Sequence, residues 1–493
     1  MPVDQHGNMN YDGLSLQEGL EDSLCVFNNL FSDDTTFQFR FVSNQKNPVI
    51  RCAILFLDGM SDTRTINVSI IEPIMSADLG YANGLSQAIL ETVIAGNSIS
   101  VVAEIKELVE GILSGDTVVL IDGETSAILV NSKGFAVRSI SEPDDEKSLR
   151  GPREGFTESL MMNAAMIRRK LQTSDLKFKS RSFGNRSNTR AFLCYLDSVA
   201  DKGILEELER RLDTMCMDAV LDTNYIQENI KDSRWSVFKT CGSSEKPDVV
   251  ASKLLEGRIA LILDGTPIVM TVPYLFIENL QVADDYYNIF YYGTIGRILR
   301  ILGFLITISA PAVYVALIAF HPEMIPTSLM LSIAAAISKV PFPTVVECVG
   351  MLFIFEVLRE TGIRTPNKIG QALSIVGALI VGQAAVEARI VSAPVVIVVA
   401  LAGITGLMVP RLSGSVIAIR YLFIIASACL GFYGYFLALL VLFFYLTGIE
   451  SFGVDYTSQM FTYNPRQLED IYVRSPMPDL KSRPVQISRD TER

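Results

Sequence analysis

GDTVVLIDGETSAILV spans Gly115–Val130, and GRIALILDGTPIVMTV spans Gly257–Val272. Each is an apolar run, an Asp-Gly pair and a second apolar run. Asp-Gly between apolar runs signals a hairpin, because glycine takes the positive φ that a tight turn between strands requires. The predicted turns are Asp122-Gly123 and Asp264-Gly265. Upstream phrases recur as well, LVEG at Leu108–Gly111 and LLEG at Leu254–Gly257. Further back, RCAILFLDGMSD (Arg51–Asp62) is matched by RAFLCYLDSVAD (Arg190–Asp201). Each reads as a strand ending in Asp, a turn, and a second Asp placed to cap a helix. Asp58 to Asp122 is 64 residues and Asp197 to Asp264 is 67. The spacing predicts one α/β module present twice. Its aspartates serve turn and cap chemistry, or else face a ligand cleft between the modules.

The 493 residues carry a net charge of -12 and are 49% hydrophobic, but unevenly so. Residues 301–450 hold seven Lys/Arg and six acids, 13 charges in 150 residues, against 19% charged overall. The first ~290 residues read as soluble and acidic, which argues against nucleic acid as a partner. No basic-then-apolar leader opens the chain, so no signal peptide is expected. The seven cysteines form no C-x-x-C pair, and the only histidines are His6 and His321. Disulfide frameworks, zinc sites and most histidine catalysis are therefore not expected. With no phosphate loop or nucleophile elbow either, the chain reads as a non-enzyme without cofactor or metal.

The apolar half begins at ILGFLITISAPAVYVALIAF, residues 301–320, preceded by Arg297 and Arg300. Twenty apolar residues span ~30 Å as a helix. The flanking arginines place the soluble modules on the cytoplasmic side. Thr327–Val340 is too short to span and reads as an interfacial or re-entrant helix. Pro341 and Pro343 break the chain after it. Asn367–Ala388 and Ile390–Pro410 are further helical stretches. Val416–Ile449 suits one tilted span or two short ones around Gly431 and Gly434. The predicted organisation is a polar lead-in (1–40), module 1 (41–140), a linker with a basic helix (141–189) and module 2 (190–290). A polytopic helical membrane bundle of four to six crossings (296–450) and a cytoplasmic tail (451–493) follow.

Acids inside this half are the candidate functional groups, since a carboxylate in hydrocarbon is costly unless it is used or paired. Glu347 and Glu356 are nine residues apart, half a turn out of phase on a straight helix. They line a cation pathway together with Glu387 and Gln383, or they are structural ion pairs. A ring of such acids would favour cations. Gly370, Ser374, Ala378 and Gly382 form a small-residue stripe that lets another helix approach closely, within or between subunits. Arg150, Gly151, Pro152 and Arg153, in the linker, are a candidate subunit or lipid contact.

Three long blocks carry a family resemblance. They are EPDDEKSLRGPREGFTESL (Glu142–Leu160), VPFPTVVECVGMLFIFEVLRETGIRTP (Val340–Pro366) and IGQALSIVGALIVGQAAVEA (Ile369–Ala388). With ADDYY at Ala283–Tyr287, similar to the family's PDDYY, they resemble the A subunits of spore germination receptors, the GerA family. That family includes the stage V sporulation protein AF paralogue. The resemblance covers roughly residues 80–455. It implies the inner membrane of the endospore, with the N-terminal domain facing the spore core. It implies a homo-oligomer, proposed to be a pentamer, that works with a multi-spanning, nutrient-binding B subunit and a lipoprotein C subunit. It further implies release of monovalent cations when nutrient binds.

Overall fold

The computed structural model describes residues 11, 14–78, 85–94, 98–134, 146, 150–364, 377, 380–458, 460–461, 470–480, 482–484 and 486–489. The first module runs α1 (Leu20–Leu30), β1 (Phe37–Ser43), β2 (Arg51–Leu57) and α2 (Thr63–Thr65). A π-helical stretch, Ile66–Ile71, leads on to α3 (Glu72–Ser76) and α4 (Leu85–Thr92). Then come β3 (Ile99–Val102), α5 (Ile105–Ser114), β4 (Thr117–Ile121) and β5 (Ala127–Val130). The second runs α6 (Leu160–Lys170), β6 (Leu176–Phe183), β7 (Thr189–Leu196), α7 (Lys202–Asp213) and α8 (Thr223–Ile230). It closes with β8 (Gly242–Ser244), α9 (Pro247–Leu255), β9 (Ile259–Leu263) and β10 (Val269–Val272).

Both sheets have five strands in the same order, β1-β2-β4-β5-β3 and β6-β7-β9-β10-β8, antiparallel throughout. Antiparallel sheets often leave one face wet, but here helices cover both. In module 1, Ala53, Leu55 and Leu57 pack with α1 and α5, while Cys52 and Ile54 pack with the helices of residues 63–92. Central strands buried on both faces need continuous apolar runs, which is why VVLI and IALIL show no polar alternation.

The recurrent aspartates hold this architecture together. Gly123 and Gly265 have φ of +86° and +88°. Asp122 Oδ1 accepts from Leu20 N (3.2 Å), and Asp264 Oδ1 accepts from Leu160 N (3.1 Å). Each hairpin turn thus caps the leading helix of its own module. The second aspartates are helix caps as predicted: Asp62 accepts from Arg64 N and Thr65 N, and Asp201 from Gly203 N and Ile204 N.

Two segments read from sequence as linker are structural. α6 and β6 belong to module 2, and β1 straddles the expected start of module 1 at residue 41. The basic run of 168–186, placed in the linker by the sequence reading, supplies the seam between modules. Arg168 Nη2 meets Asp34 Oδ2 at 2.5 Å with both side chains buried, and Lys177 Nζ donates to Leu30 O at 2.9 Å. Burial pushes the Lys177 ammonium below its ordinary range.

Beyond module 2 lie α10 (Asp284–Tyr287), α11 (Phe290–Phe320), α12 (Thr327–Ile337), α13 (Thr344–Arg364), α14 (Ala393–Gly406) and α15 (Ser413–Thr447). By length and composition, α11 and the stretch Pro410–Thr447 are long and apolar enough to cross a membrane. α15 is a hairpin. Gly431 leaves helical geometry (φ +60°, ψ -139°) and abuts Phe320 at the far end of α11. Ser415 Oγ donates to Val237 O (2.6 Å) and Val237 N donates to Tyr445 OH (3.1 Å), so both ends of α15 return to module 2. The two-short-spans reading of this segment therefore describes its shape. The module 2 core is continuous with this helical layer, through Phe276, Phe304, Ile308 and Phe423.

Two outcomes follow from these contacts. Asp122→Ala and Asp264→Ala each lower stability by about 1 kcal/mol, as lost helix caps do, measured by thermal unfolding of the purified full chain; an unchanged midpoint in both would remove the capping role. A Cβ on Gly434 would lie 2.0 Å from Ala426 O, whereas nothing lies within 4 Å of one on Gly414. Gly434→Val therefore abolishes accumulation of folded protein and Gly414→Ala does not, read by blot of membrane fractions.

Candidate functional site

The polar groups of the helical layer fall into two sets, one deep and one at the junction with module 2. Glu347 sits in the first turn of α13 and is 3% exposed. Its Oε2 accepts from Ser392 N at 2.7 Å, just ahead of α14. Among the described residues its Oε1 has no hydrogen-bond partner, while the buried hydroxyls of Tyr314 and Ser392 interact with each other. A buried carboxylate oxygen without a donor is costly. Glu356, two and a half turns on, faces elsewhere. Arg420 of α15, 2% exposed, approaches Glu356 Oε1 at 2.5 Å, and Arg359 lies 3.5 Å from Oε2. The two acids occupy different faces of α13, as their nine-residue spacing requires. Glu356 is in an ion pair that ties α13 to α15, and among the described residues one Glu347 oxygen has no partner.

The other sequence candidates lie elsewhere. Gln383 Nε2 donates to Glu387 Oε1 at 3.0 Å, and both side chains are exposed. Gly382 faces α14, where a Cβ would meet Val396 at 3.4 Å, so its close packing is within the chain. Gly370, Ser374 and Ala378 lie outside the described residues. Pro341 and Pro343 separate α12 from α13, and no residue of α12 is buried. Arg150 N donates to Asp284 Oδ1 (3.4 Å), and a Cβ on Gly151 would strike the Tyr287 ring at 2.5 Å. Gly151 (φ +105°) thus lets the linker lie on α10 of its own chain; Pro152 is half-buried and Arg153 exposed.

The junction is built on residues 276–300. Glu278 Oε1 accepts from Arg258 Nη2 (2.8 Å) and Leu275 N (2.9 Å), and Oε2 pairs with Lys253. Its carbonyl accepts from Arg411 Nη1 (3.2 Å), and Arg411 Nη2 reaches Glu146 Oε1 at 2.6 Å. Asp285 of the ADDYY turn pairs with Arg300 and lies 3.7 Å from Arg297 Nε. Arg297, 0% exposed, also binds Asp470 Oδ1 (3.1 Å) and Ile471 O (3.2 Å). Tyr286 OH donates to Asp470 Oδ2 at 2.8 Å. Burial opposes the charge on Glu278, but Arg258 and Lys253 outweigh it and hold the carboxyl below its ordinary range. Burial moves Asp470 the other way, upward, against the pull of Arg297.

This network was not legible as a site. Arg297 and Arg300 read as charges flanking a span, and the acids that bind them come from distant segments. Arg420 carried a usable signal, a lone cation inside the apolar run SVIAIRYLFIIA. Its partner could not be assigned from spacing.

The description Bacillus/Clostridium GerA spore germination protein matches residues 26–486, across both modules and the helical layer. The chain belongs to the GerA family of spore germination proteins. This GerA protein is similar to spore germination protein KA of Bacillus subtilis (strain 168), 40% identical over 443 residues, 90% of this chain and 81% of the relative. It is similar to spore germination protein GerLA of Bacillus cereus at 34% over 436 residues, 88% and 89% of the two chains. It also matches the uncharacterized membrane protein YfkQ of B. subtilis (strain 168) at 36% over 438 residues, 88% and 85%. A solved structure, the N-terminal domain of the A subunit of the Bacillus megaterium spore germinant receptor GerK3, is 29% identical. It covers 53% of this chain and 98% of that one, with a TM-score of 0.42.

A carboxyl whose folded pKa is depressed stabilises the fold above its unfolded pKa and loses that contribution as pH falls through the folded value. Glu278→Gln therefore lowers the thermal midpoint of the full chain at neutral pH and flattens its loss as pH falls below the ordinary glutamate range. Parallel midpoint-versus-pH curves for parent and variant would sink this assignment.

Proposed function

We propose that this GerA protein is the A subunit of a nutrient germinant receptor in the endospore inner membrane. The helical layer lies in the bilayer, with both modules and the tail on the spore-core side. The arms of the α15 hairpin, residues 413–430 and 432–447, are ~27 and ~24 Å long, close to the ~30 Å of a hydrocarbon core. The subunits assemble as a homo-oligomer with a multi-spanning, nutrient-binding B subunit and a lipoprotein C subunit. Nutrient binding shifts a closed–open equilibrium by its differential affinity for the two states, and the open state passes monovalent cations.

The observation that carries this reading is Glu347. In this placement it is an intramembrane acid with one carboxylate oxygen that has no hydrogen-bond partner among the described residues, near the Tyr314 and Ser392 hydroxyls. Such a group is retained at a cost and marks a pathway or a gate. The exposed pair Gln383 and Glu387 is available to line a path formed between subunits. Pro341, Pro343 and Gly431 are the points where helices reorient during gating. A non-conducting scaffold that couples the nutrient-binding subunit to downstream proteins is the second reading, favoured by the Glu356–Arg420 pair, which consumes the other deep acid.

Potassium release from spores carrying Glu347→Gln tests the choice, with protein level checked by blot. Abolished or strongly slowed release with normal protein level is expected. Normal release would remove Glu347 from the mechanism and leave the scaffold reading.

A further inference from the structure

The chain has one tryptophan, Trp235, and its side chain is 93% exposed. An indole held in water is unusual, because its large ring buries well and its N–H takes a partner. The loop that carries it is well fixed. Ser236 N donates to Ser233 O at 3.3 Å, which puts Arg234 and Trp235 at the tip of a turn. Ser236 Oγ donates to Phe238 O at 2.9 Å, and Phe238 is buried in the module 2 core. Two residues past the indole, Val237 is bonded to both ends of the α15 hairpin, at Ser415 and Tyr445. The tip is therefore level with the helix ends, where a helical layer in a bilayer meets the headgroups.

The surrounding chemistry fits that plane. Val237 and Tyr445 are partly exposed beside the tip. Arg234 and Lys239 flank it and are exposed. The acid nearest in sequence, Asp232, is bound to Arg211 at 2.7 Å. An indole at the apolar–polar boundary with cations beside it is the pattern of an interfacial anchor on an anionic leaflet.

We infer that the Ser233–Lys239 loop of module 2 docks on the membrane surface, with Trp235 among the upper acyl chains and Arg234 and Lys239 on anionic phospholipid headgroups. This rests on the helical layer lying in the bilayer. The loop then fixes the height and tilt of module 2 relative to the leaflet, in addition to the protein contacts of the junction.

The single tryptophan makes the test direct. The full chain is placed in nanodiscs of phosphatidylcholine and phosphatidylglycerol, and fluorescence is excited at a wavelength selective for indole. Lipids brominated near the upper part of the acyl chain are expected to quench the emission at least twofold, and lipids brominated deeper to quench it less. The double variant R234E/K239E is expected to lose at least half of that quenching. Emission that is equal in brominated and plain discs overturns the docking. Blue-shifted emission that bromine does not touch also overturns it, and assigns the cover to a second copy of the chain. Full quenching in the double variant overturns the anionic-headgroup contact. Failure of the chain to enter nanodiscs overturns the bilayer placement itself, and is distinguished from the other outcomes because no disc-bound signal is obtained.

Discussion

Arg297 is the residue on which the geometry of the helical layer depends. A guanidinium with no exposed surface is stable only when anions and carbonyls surround it. Its partners come from two separate stretches, Asp285 in the ADDYY turn and Asp470 with Ile471 in the tail, brought against α11 itself. None of these can be satisfied unless all three segments arrive together. The turn, the start of α11 and the tail therefore form one unit, and the direction in which α11 leaves module 2 is set there. The remaining helices take their positions from α11, through Thr307 against Thr405 at 2.8 Å and Phe320 against Gly431.

The two modules share a topology and have different jobs. In module 1 both sheet faces are closed by the module's own helices. In module 2 one face is closed by α6 and α9 and the other by α7 and α8, and the core on that second face also continues into the helical layer. Module 1 reaches the rest of the molecule through the buried Arg168–Asp34 pair and the backbone bond from Thr35 N to Phe178 O (2.9 Å). A duplicated unit has thus been used once as a platform for the helices and once as an attachment to that platform. A change of partner at module 1 would be transmitted through a polar seam, which is specific in geometry but costly to break.

Within the helical layer the two deep acids show how the same residue type takes different roles. Glu356 is matched by a cation on a neighbouring helix, so its charge is a packing device. Among the described residues Glu347 accepts from a backbone N–H, lies near the Tyr314 hydroxyl and meets no cation. One of its two carboxylate oxygens has no partner among the described residues. That difference arises from which face of α13 each residue occupies.

Much of this was readable in the amino acids. The Asp-Gly turns, the second-aspartate helix caps, the repeat and the change from acidic to apolar composition are local patterns, governed by backbone conformation and short-range hydrogen bonds. They need no knowledge of what lies across the molecule. The half-turn offset of Glu347 and Glu356 was likewise fixed by helical period. What the sequence could not state was who pairs with whom. The linker arginines and lysines gave no sign of their partners, because nothing nearby showed that Asp34, 134 positions away, would bury Arg168. Arg297 read as a topology signal because Asp470 lies 173 positions on. The single helical run from Ser413 to Thr447 became a hairpin only because the far end of α11 stands against Gly431. Local chemistry determined the elements of this protein, and long-range charge pairing and close packing, which depend on the whole chain being folded, decided how they are joined.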